Sequence, residues 1–147
     1  MTGPRRDDRF DLRRFVAAQE YVYEEALAEL RVGHKSGHWM WFVFPQISGL
    51  GRSWTSHHYA IRSLEEARAY LAHPVLGPRL RECAVVVAHS PAATAEEIFG
   101  SIDSLKLRSS MTLFMRAAPD DRVFGDVLAR FYGGSPDEAT DRLLNSE

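Results

Sequence analysis

Apolar residues spaced three or four positions apart, in runs that proline or glycine interrupts, are the feature that most restricts the fold of this chain. The first run is the longest and consists of Phe15, Ala18, Val22, Ala26, Leu27 and Leu30. In an α-helix this spacing places the apolar side chains on one face. We therefore predict an amphipathic helix over residues 12–31, ended by Gly33, because glycine readily adopts the left-handed conformation that closes a helix.

Two capping boxes mark further helix starts. Ser63 precedes Glu66 by three positions, and Thr94 precedes Glu97 in the same way. In this arrangement each side chain satisfies the backbone N–H of the other residue, and a proline or glycine downstream ends the helix. Together with the remaining apolar runs, these signals predict helices over residues 64–73, 78–88, 94–100, 104–116, 123–131 and 135–145.

The last of these helices has its own start signal. Ser135 stands at the predicted N-cap, Pro136 in the first turn, and Glu138 at the capping-box position. By contrast, residues 39–47 resist a helical prediction, because their aromatic side chains fit a buried strand as well as a helix. A proline and two glycines then require a loop that extends to about His57.

Length and composition fit one folded domain. A chain of 147 residues with 45% hydrophobic residues has enough material for a single core. The predicted fold class is therefore mainly α, with six to seven helices and one short strand or irregular core segment near residues 39–47. We expect a flexible N-terminus at residues 1–11 and a single globular domain at residues 12–147.

The net charge and the cysteine content restrict which classes of partner and which cellular compartment we expect. The net charge of −2 gives no global attraction to nucleic acid, so we expect no nucleic-acid partner. Cys83 is the only cysteine, which excludes an internal disulfide and fits a reducing compartment. No signal-peptide pattern and no apolar run of about 20 residues occurs, so we expect a cytoplasmic protein without a membrane partner.

The first candidate site surrounds the glycine-containing loop. Its members are Lys35, His38, Trp39, Trp41, Gln46, Ser53 and Tyr59. Indole rings stack on planar groups, and an ammonium or the backbone N–H groups of Gly49 and Gly51 bind anions, a mixture suited to a nucleotide-like ligand. The alternative is that the aromatic members belong to the core, which explains the polar members less well.

The second candidate site begins just before the helix predicted over residues 104–116. Its members are Asp103, Lys106, Arg108, Ser109, Ser110 and Thr112. Asp103, Lys106 and Ser110 are three and four positions apart, so they share one helix face. A carboxylate, an amine and a hydroxyl together can bind a polar ligand or move a proton. The alternative is a helix cap beside a solvated face.

Neither the histidines nor the cysteine indicates a metal or a cofactor. Gly33 and Gly37 disfavour a helix that would bring His34 and His38 onto one face, and no His-Glu-x-x-His pattern exists. Cys83 lies among apolar residues, where a thiol is most often a small buried group. We therefore expect no metal site and no cofactor.

Several long motifs resemble one known family. Residues 37–46 (GHWMWFVFPQ), 73–80 (HPVLGPRL) and 106–114 (KLRSSMTLF) resemble the bacterial family called domain of unknown function 1810, and the resemblance covers nearly the whole chain. It implies a serine at the position of Gly37, so a hydroxyl there is not essential. Members are sometimes labelled calpastatin, a disordered protease inhibitor, which does not fit a sequence with a core and helix caps.

A shorter resemblance concerns the second candidate site. Asp103-x-x-Lys106 followed by Met111 is similar to a segment of the YbiA-like family, whose members act on N-glycosidic bonds of ADP-ribose or riboflavin-pathway intermediates. This resemblance implies cleavage by water, with Asp103 assisting and Lys106 steadying the charge of the ligand. It also implies that Trp39 or Trp41 stacks on a base.

The sequence thus predicts a small-molecule pocket where residues 35–59 meet residues 103–112. The ligand would be a nucleotide-like or other polar metabolite, and hydrolysis of an N-glycosidic bond is the reaction that the second resemblance implies. The alternative is a non-catalytic protein-interaction or self-association domain that uses the same residues. The sequence leaves the enzymatic activity and the oligomeric state open.

Overall fold

Helices account for all the regular secondary structure in the part of the chain that the computed structural model describes, residues 8–146. Nine helices lie within these residues: α1 (Arg13–Gln19), α2 (Tyr23–Val32), α3 (Met40–Val43), α4 (Trp54–His58), α5 (Leu64–Ala72), α6 (Leu76–Ala88), α7 (Ala95–Ala117), α8 (Val123–Phe131) and α9 (Glu138–Asn145). The mainly α fold is confirmed, with more helices than the six to seven predicted. None of these helices combines the length and apolarity needed to cross a bilayer.

Helix α7 organises the core. It packs against α5, α8 and α9, while α6 packs against α2, α5 and α8. Most of its buried residues come from the second half, from Ser104 to Ala117, and include Leu107, Met111 and Phe114. The side chains on the other face of this half remain available for the site described below.

The helix predicted over residues 12–31 is two helices, α1 and α2, separated by a turn at residues 20–22. Buried Gln19 ends α1, and its side-chain amide donates to the Phe42 carbonyl at 2.7 Å and to the Tyr70 hydroxyl at 3.1 Å. These long-range bonds favour a break that the periodic apolar pattern could not reveal. The predicted end at Gly33 is confirmed, with φ of 87°.

The predicted N-caps of α5 and α7 are confirmed, but the reciprocal half of each capping box is not: Glu66 accepts from the Arg62 N–H and Glu97 from the Ala93 N–H, one residue before the predicted partner. The Ser63 hydroxyl accepts from the Glu66 N–H at 3.0 Å, and the Thr94 hydroxyl accepts from the Glu97 N–H at 3.2 Å. Gly100 interrupts α7 as predicted, with φ of 82° and ψ of 168°, so that two helices meet there at a kink. The second half then starts at residue 101, three residues before the predicted start.

The predicted start of the last helix at Ser135 is wrong, because Asp137 is the N-cap. The Asp137 carboxylate accepts from the Thr140 N–H at 3.0 Å, whereas the Ser135 N–H donates to the Tyr132 carbonyl in the turn after α8. Both residues are good caps by type. The Thr112 hydroxyl accepts from the Asp137 N–H at 2.8 Å, a tertiary contact that favours Asp137.

Residues 39–47 form the irregular core segment that the sequence predicts. A single helical turn, α3, is followed by extended backbone that reaches an isolated parallel bridge between Ile47 and Ile61. The loop predicted up to about residue 57 contains a short helix, α4, which the polar sequence did not indicate. The Ser53 hydroxyl caps that helix by accepting from the Ser56 N–H at 3.1 Å.

Part of the predicted flexible N-terminus, residues 1–7, lies outside the described residues. At the first described position the Asp8 carboxylate accepts from the backbone N–H of Leu12 at 2.6 Å and of Arg13 at 3.2 Å. These bonds satisfy N–H groups at the start of α1, where a helix leaves its donors unpaired.

Replacing Ser63 by alanine is expected to lower the free energy of unfolding by about 1 kcal/mol, because the Glu66 N–H loses its cap. Urea denaturation measures the change. Ser135→Ala is the matched control, since Ser135 is exposed and caps no helix, and it should shift stability by less than about 0.5 kcal/mol. Equal losses in the two variants would contradict the assignment of the caps.

Candidate functional site

Lys35 is held in place by the backbone before its side chain makes any contact. Gly33 turns the chain at the end of α2, and the Lys35 N–H then donates to the Ile98 carbonyl at 2.7 Å. The ammonium donates to the Gly37 carbonyl at 2.6 Å and lies 2.7 Å from the Asp103 carboxylate. With only 8% of its side chain exposed, Lys35 is a buried cation tied to the kink region of α7.

Asp103 joins the two candidate sites that the sequence predicts. Its second oxygen accepts from the Lys106 ammonium at 3.1 Å, one helical turn further along α7. Lys35, Asp103 and Lys106 together are called the lysine–aspartate cluster below. Two ammonium groups share one carboxylate, so the three side chains of the cluster carry a net positive charge. Lys106 is the more exposed cation, with 22% of its side chain exposed.

The lysine–aspartate cluster contains every lysine of the chain. Of the 18 basic residues, only Lys35 and Lys106 are lysines, and both contact Asp103. This count is a sequence signal that points to the cluster, because arginine is used at every other basic position. Lysine offers a compact, strongly hydrated charge, whereas arginine offers a planar fork of donors.

Asp103 is ionised in this environment. Burial raises the pKa of its carboxyl, but hydrogen bonds and charge from Lys35 and Lys106 outweigh burial and hold the pKa below its ordinary value. Both oxygens contact an ammonium. The carboxylate therefore positions the two lysines and keeps a negative charge between them.

Two indole rings pack against the ammonium groups of the cluster. The Lys35 ammonium lies 5.0 Å from the ring centroid of Trp39, and the Lys106 ammonium lies 4.2 Å from that of Trp41. Trp39 is fully buried in the core, whereas Trp41 is half-buried. A cation over an indole face gains electrostatic attraction from the ring. Trp41 is therefore the aromatic ring in contact with Lys106, the more exposed cation of the cluster.

Glu29 is a contributor that the sequence analysis did not select. Its carboxylate accepts from the Ser36 and Gly37 N–H groups and from the Trp39 indole N–H, each at 2.9 Å. Burial raises the pKa of this carboxyl, and the hydrogen bonds from Gly37, Ser36 and Trp39 outweigh it and lower the pKa. Glu29 thus fixes the turn that presents Lys35, a role that no local motif signals.

A narrow cavity, called the Gln46 cavity below, lies beside Trp41. Its volume is about 10 Å³, and it is lined by Trp41, Gln46, Ile47, Gly49, Leu50, Gly51, Ser56, His57, Tyr59 and Ala60. The cavity thus brings together four of the predicted features: Trp41, Gln46, Tyr59 and the glycine loop. A space of this size holds about one water molecule.

The two remaining residues of the first candidate site are exposed. His38 is exposed on the turn before α3, and Ser53 is exposed at the cap of α4.

Among residues 8–146, no group of three or more His, Cys, Asp or Glu side chains is arranged to hold a metal ion. Burial raises the pKa of the Cys83 thiol to about 12, so it stays protonated.

The serine and threonine residues of the second candidate site divide between two places. Ser109 and Thr112 contact the last segment of the chain: the Ser109 hydroxyl donates to the Asp137 carboxylate at 3.2 Å, and Thr112 accepts from the Asp137 N–H. Arg108 reaches the same segment, because its guanidinium donates to the Ser135 carbonyl at 3.1 Å. Ser110 is completely buried one helical turn beyond Lys106.

Two wider concavities lie away from the predicted residues. One, of about 700 Å³, is lined by residues 117–123, and the other, of about 570 Å³, by residues from Asp8 to Arg13 and from Ala69 to Pro74. Their walls contain none of the residues that the sequence analysis selected. The lysine–aspartate cluster and the Gln46 cavity, which share Trp41, are therefore the candidate functional site.

Comparison with known proteins agrees with the motif-based resemblance. The family model described as "Protein of unknown function (DUF1810)" matches residues 9–144. The crystal structure of the conserved hypothetical protein Rv1873 from Mycobacterium tuberculosis is 55% identical in sequence, with a TM-score of 0.92 over 94% of this chain and 99% of that chain. Among curated proteins, none matches significantly. Because the family model spans nearly the entire sequence, this chain belongs to the DUF1810 family of proteins of unknown function.

Proposed function

We propose that this protein binds a small anionic metabolite of the cytosol, with nucleotide-like compounds as the class, at the surface where Lys106 lies over Trp41. The observation that carries the proposal is the convergence of both lysines of the chain on Asp103. One carboxylate balances only one of the two ammonium groups. The remaining positive charge attracts an anionic group, and the partly exposed Lys106 is the cation that reaches it.

An exposed indole near the Gln46 cavity supports a ligand with a planar ring. Trp54 begins α4, the helix that contributes Ser56 and His57 to the cavity wall, and it is 72% exposed. Its ring stacks on His58 with centroids 4.6 Å apart and an interplanar angle of 10°. Rings presented in this way stack with bases or other flat groups. The stacking role predicted for Trp39 or Trp41 is thus extended to Trp54, because the ring of Trp39 is buried.

Hydrolysis of an N-glycosidic bond remains a second hypothesis, with Asp103 and Lys106 as its catalytic residues. Ionised Asp103 is the form that assists a developing positive charge on a sugar ring. Both of its oxygens accept from lysines, however, and these contacts lower the pKa of the carboxyl, which makes Asp103 a weak base for the activation of water. We therefore rank binding ahead of turnover.

The rival hypothesis, a non-catalytic interaction domain, draws on two exposed apolar side chains. Ile102 and Leu105 lie one helical turn apart on the outer side of α7 and are 69% and 64% exposed. Sedimentation velocity distinguishes the two hypotheses. A monomer that binds a metabolite favours the pocket, whereas a dimer that Ile102→Ser and Leu105→Ser disrupt, with no metabolite bound, favours self-association.

We expect thermal-shift and calorimetric screening with ADP-ribose, nucleotides and sugar phosphates to find a compound that stabilises the folded protein. A ligand at 100 times its Kd stabilises by about 2.7 kcal/mol. Lys106→Ala should weaken binding roughly 10- to 100-fold, the loss expected for one charge-assisted hydrogen bond. Hydrolysis of any compound that binds is then followed by chromatography of the products.

The matched control is Arg122→Ala, which removes a positive charge from an exposed position just after the far end of α7. Reductive methylation with ¹³C-formaldehyde adds a direct readout, because only two lysine signals arise beside that of the terminal amine. The ligand should shift the Lys106 signal most. Binding that Lys106→Ala leaves intact, or a complete absence of stabilisation by the panel, would remove the proposal.

A further inference from the structure

The side chain of Gln46 is a buried polar group without a protein partner. The residue is 8% exposed, and its side-chain nitrogen is fully buried and finds no hydrogen-bond partner among the described residues. Burying an amide without a hydrogen bond is costly, and native proteins rarely keep such a group without a reason. Because Gln46 lines the cavity beside Trp41, the unpaired group belongs to the candidate site.

The backbone fixes Gln46 where it stands. The Gln46 carbonyl accepts from the Ile61 N–H at 2.8 Å, and the Ile61 carbonyl accepts from the Ser48 N–H at 2.8 Å. Pro45 and Ile47 on either side are buried. The backbone of Gln46 cannot move away without breaking the bridge, so the residue is kept at the wall of the cavity.

A second buried group without a partner lies near the lysine–aspartate cluster. The hydroxyl of Ser110 is fully buried and unpaired among residues 8–146, and it stands one turn along α7 from Lys106, on the same face. Gln46 and Ser110 are the two buried side chains that have an unpaired polar atom in this part of the chain. Both belong to the segments that approach each other at Trp41 and Lys106.

We propose that Gln46 is a specificity-determining residue whose amide recognises one oxygen-bearing substituent of the metabolite, a carbonyl or a hydroxyl. The inference rests on the proposed function and goes beyond it. The Gln46 cavity has room for about one water-sized group, so a ring cannot enter it, whereas a single protruding oxygen can. Trp41 is the wall that the cavity shares with Lys106. The anionic group of the ligand would therefore lie at Lys106 and the oxygen substituent at Gln46.

The amide has two ways to meet such a group. The side-chain nitrogen donates to a carbonyl or a hydroxyl oxygen, whereas the side-chain oxygen accepts only from a hydroxyl. A site built around an unpaired polar group discriminates strongly against ligands that leave it unpaired. Compounds that keep the anionic group but lack the oxygen substituent should therefore bind weakly.

Replacing Gln46 by leucine tests the inference through two independent measurements. Without ligand, Gln46→Leu should raise the melting temperature by about 3 °C, because an unpaired amide is exchanged for an apolar group of similar size. With the ligand identified by screening, the affinity should fall at least tenfold. Affinity for an analogue without the oxygen substituent should stay within about twofold of that of the wild type.

Gln19→Leu is the matched control, because Gln19 is the only other glutamine and is also buried. Its amide donates to the Phe42 carbonyl and the Tyr70 hydroxyl, so this substitution should lower the melting temperature. Gln46→Met also removes the donor but keeps an unbranched side chain of similar length without adding a charge, and it should weaken binding in the same way. This second variant keeps the test valid if the leucine variant fails to fold.

The possible results separate the inference from the proposed function. If Lys106→Ala weakens binding as expected while Gln46→Leu binds like the wild type, the inference is wrong and the proposed function stands. A lower melting temperature in Gln46→Leu would assign the amide a structural role and would also overturn the inference. If the wild-type protein binds no compound of the panel, both proposals fall.

Discussion

Replacing Asp103 by asparagine is expected to lower the free energy of unfolding by about 3 kcal/mol, because it leaves a buried lysine without its counter-charge. Lys35 is 8% exposed, and its remaining contacts are the neutral Gly37 carbonyl and the Trp39 ring. Asparagine keeps the size and one acceptor oxygen, so the loss reports the charge rather than a cavity. Urea denaturation at pH 7 measures the change.

The same substitution should change how stability depends on pH. The folded-state pKa of Asp103 is lower than that of an unfolded aspartate, which is about 3.9. The stability that Asp103 contributes is therefore fully present above that unfolded value. It is lost as the pH falls through the folded-state pKa. The Asp103→Asn variant should lack this part of the acid-induced loss.

Asp120→Asn is the control for both measurements, because Asp120 is an exposed aspartate in the turn after α7. It should leave stability at pH 7 within about 0.5 kcal/mol of the wild type. Lys35→Met adds a second control, since removing the buried cation together with Asp103 should cost less than the sum of the single changes. If Asp103→Asn is as stable as the wild type, the carboxylate does not hold the cluster together.

Local signals were sufficient for much of the fold. The caps at Ser63 and Thr94 and the break at Gly100 follow from short-range chemistry, which a sequence displays directly. The break between α1 and α2 was not visible, because apolar spacing continues across a turn. It depends on bonds from Gln19 to residues far away in sequence, and no local pattern encodes such bonds.

The same division applies to the candidate site. Helical spacing alone places Asp103 and Lys106 on one face, so the sequence is sufficient to predict their contact. The contact between Asp103 and Lys35 joins residues that are far apart in sequence, and it depends on the turn that Glu29 fixes. Ser109 and Thr112 illustrate the converse: residue types suited to a ligand serve instead to dock the segment around Asp137. The composition also indicates the site, because the chain has only two lysines and both contact Asp103.

Replacing Arg14 by methionine is expected to have the largest effect on stability, a loss of about 4 kcal/mol. The Arg14 guanidinium is 6% exposed and lies 2.9 Å from the Glu66 carboxylate, which is 1% exposed. It also donates to the backbone carbonyls of His58 at 2.8 Å and Ala60 at 2.7 Å. Methionine fills much of the space of the aliphatic stem but leaves the buried Glu66 carboxylate without its counter-charge and removes the guanidinium donor from the His58 and Ala60 carbonyls.

The surface pair between Arg9 and Glu65 provides the matched comparison, because it has the same 2.9 Å distance but side chains that are 68% and 63% exposed. Arg9→Met should therefore change stability by no more than about 0.5 kcal/mol, since solvent screens the pair. The Arg14 bonds also anchor residues 58–60, two of which, Tyr59 and Ala60, line the Gln46 cavity. Hydrogen exchange in Arg14→Met should consequently increase at residues 58–61 more than in α8. An equal increase in exchange rate in all the helices would instead mean that Arg14 stabilises the fold as a whole and has no particular role in shaping the cavity wall.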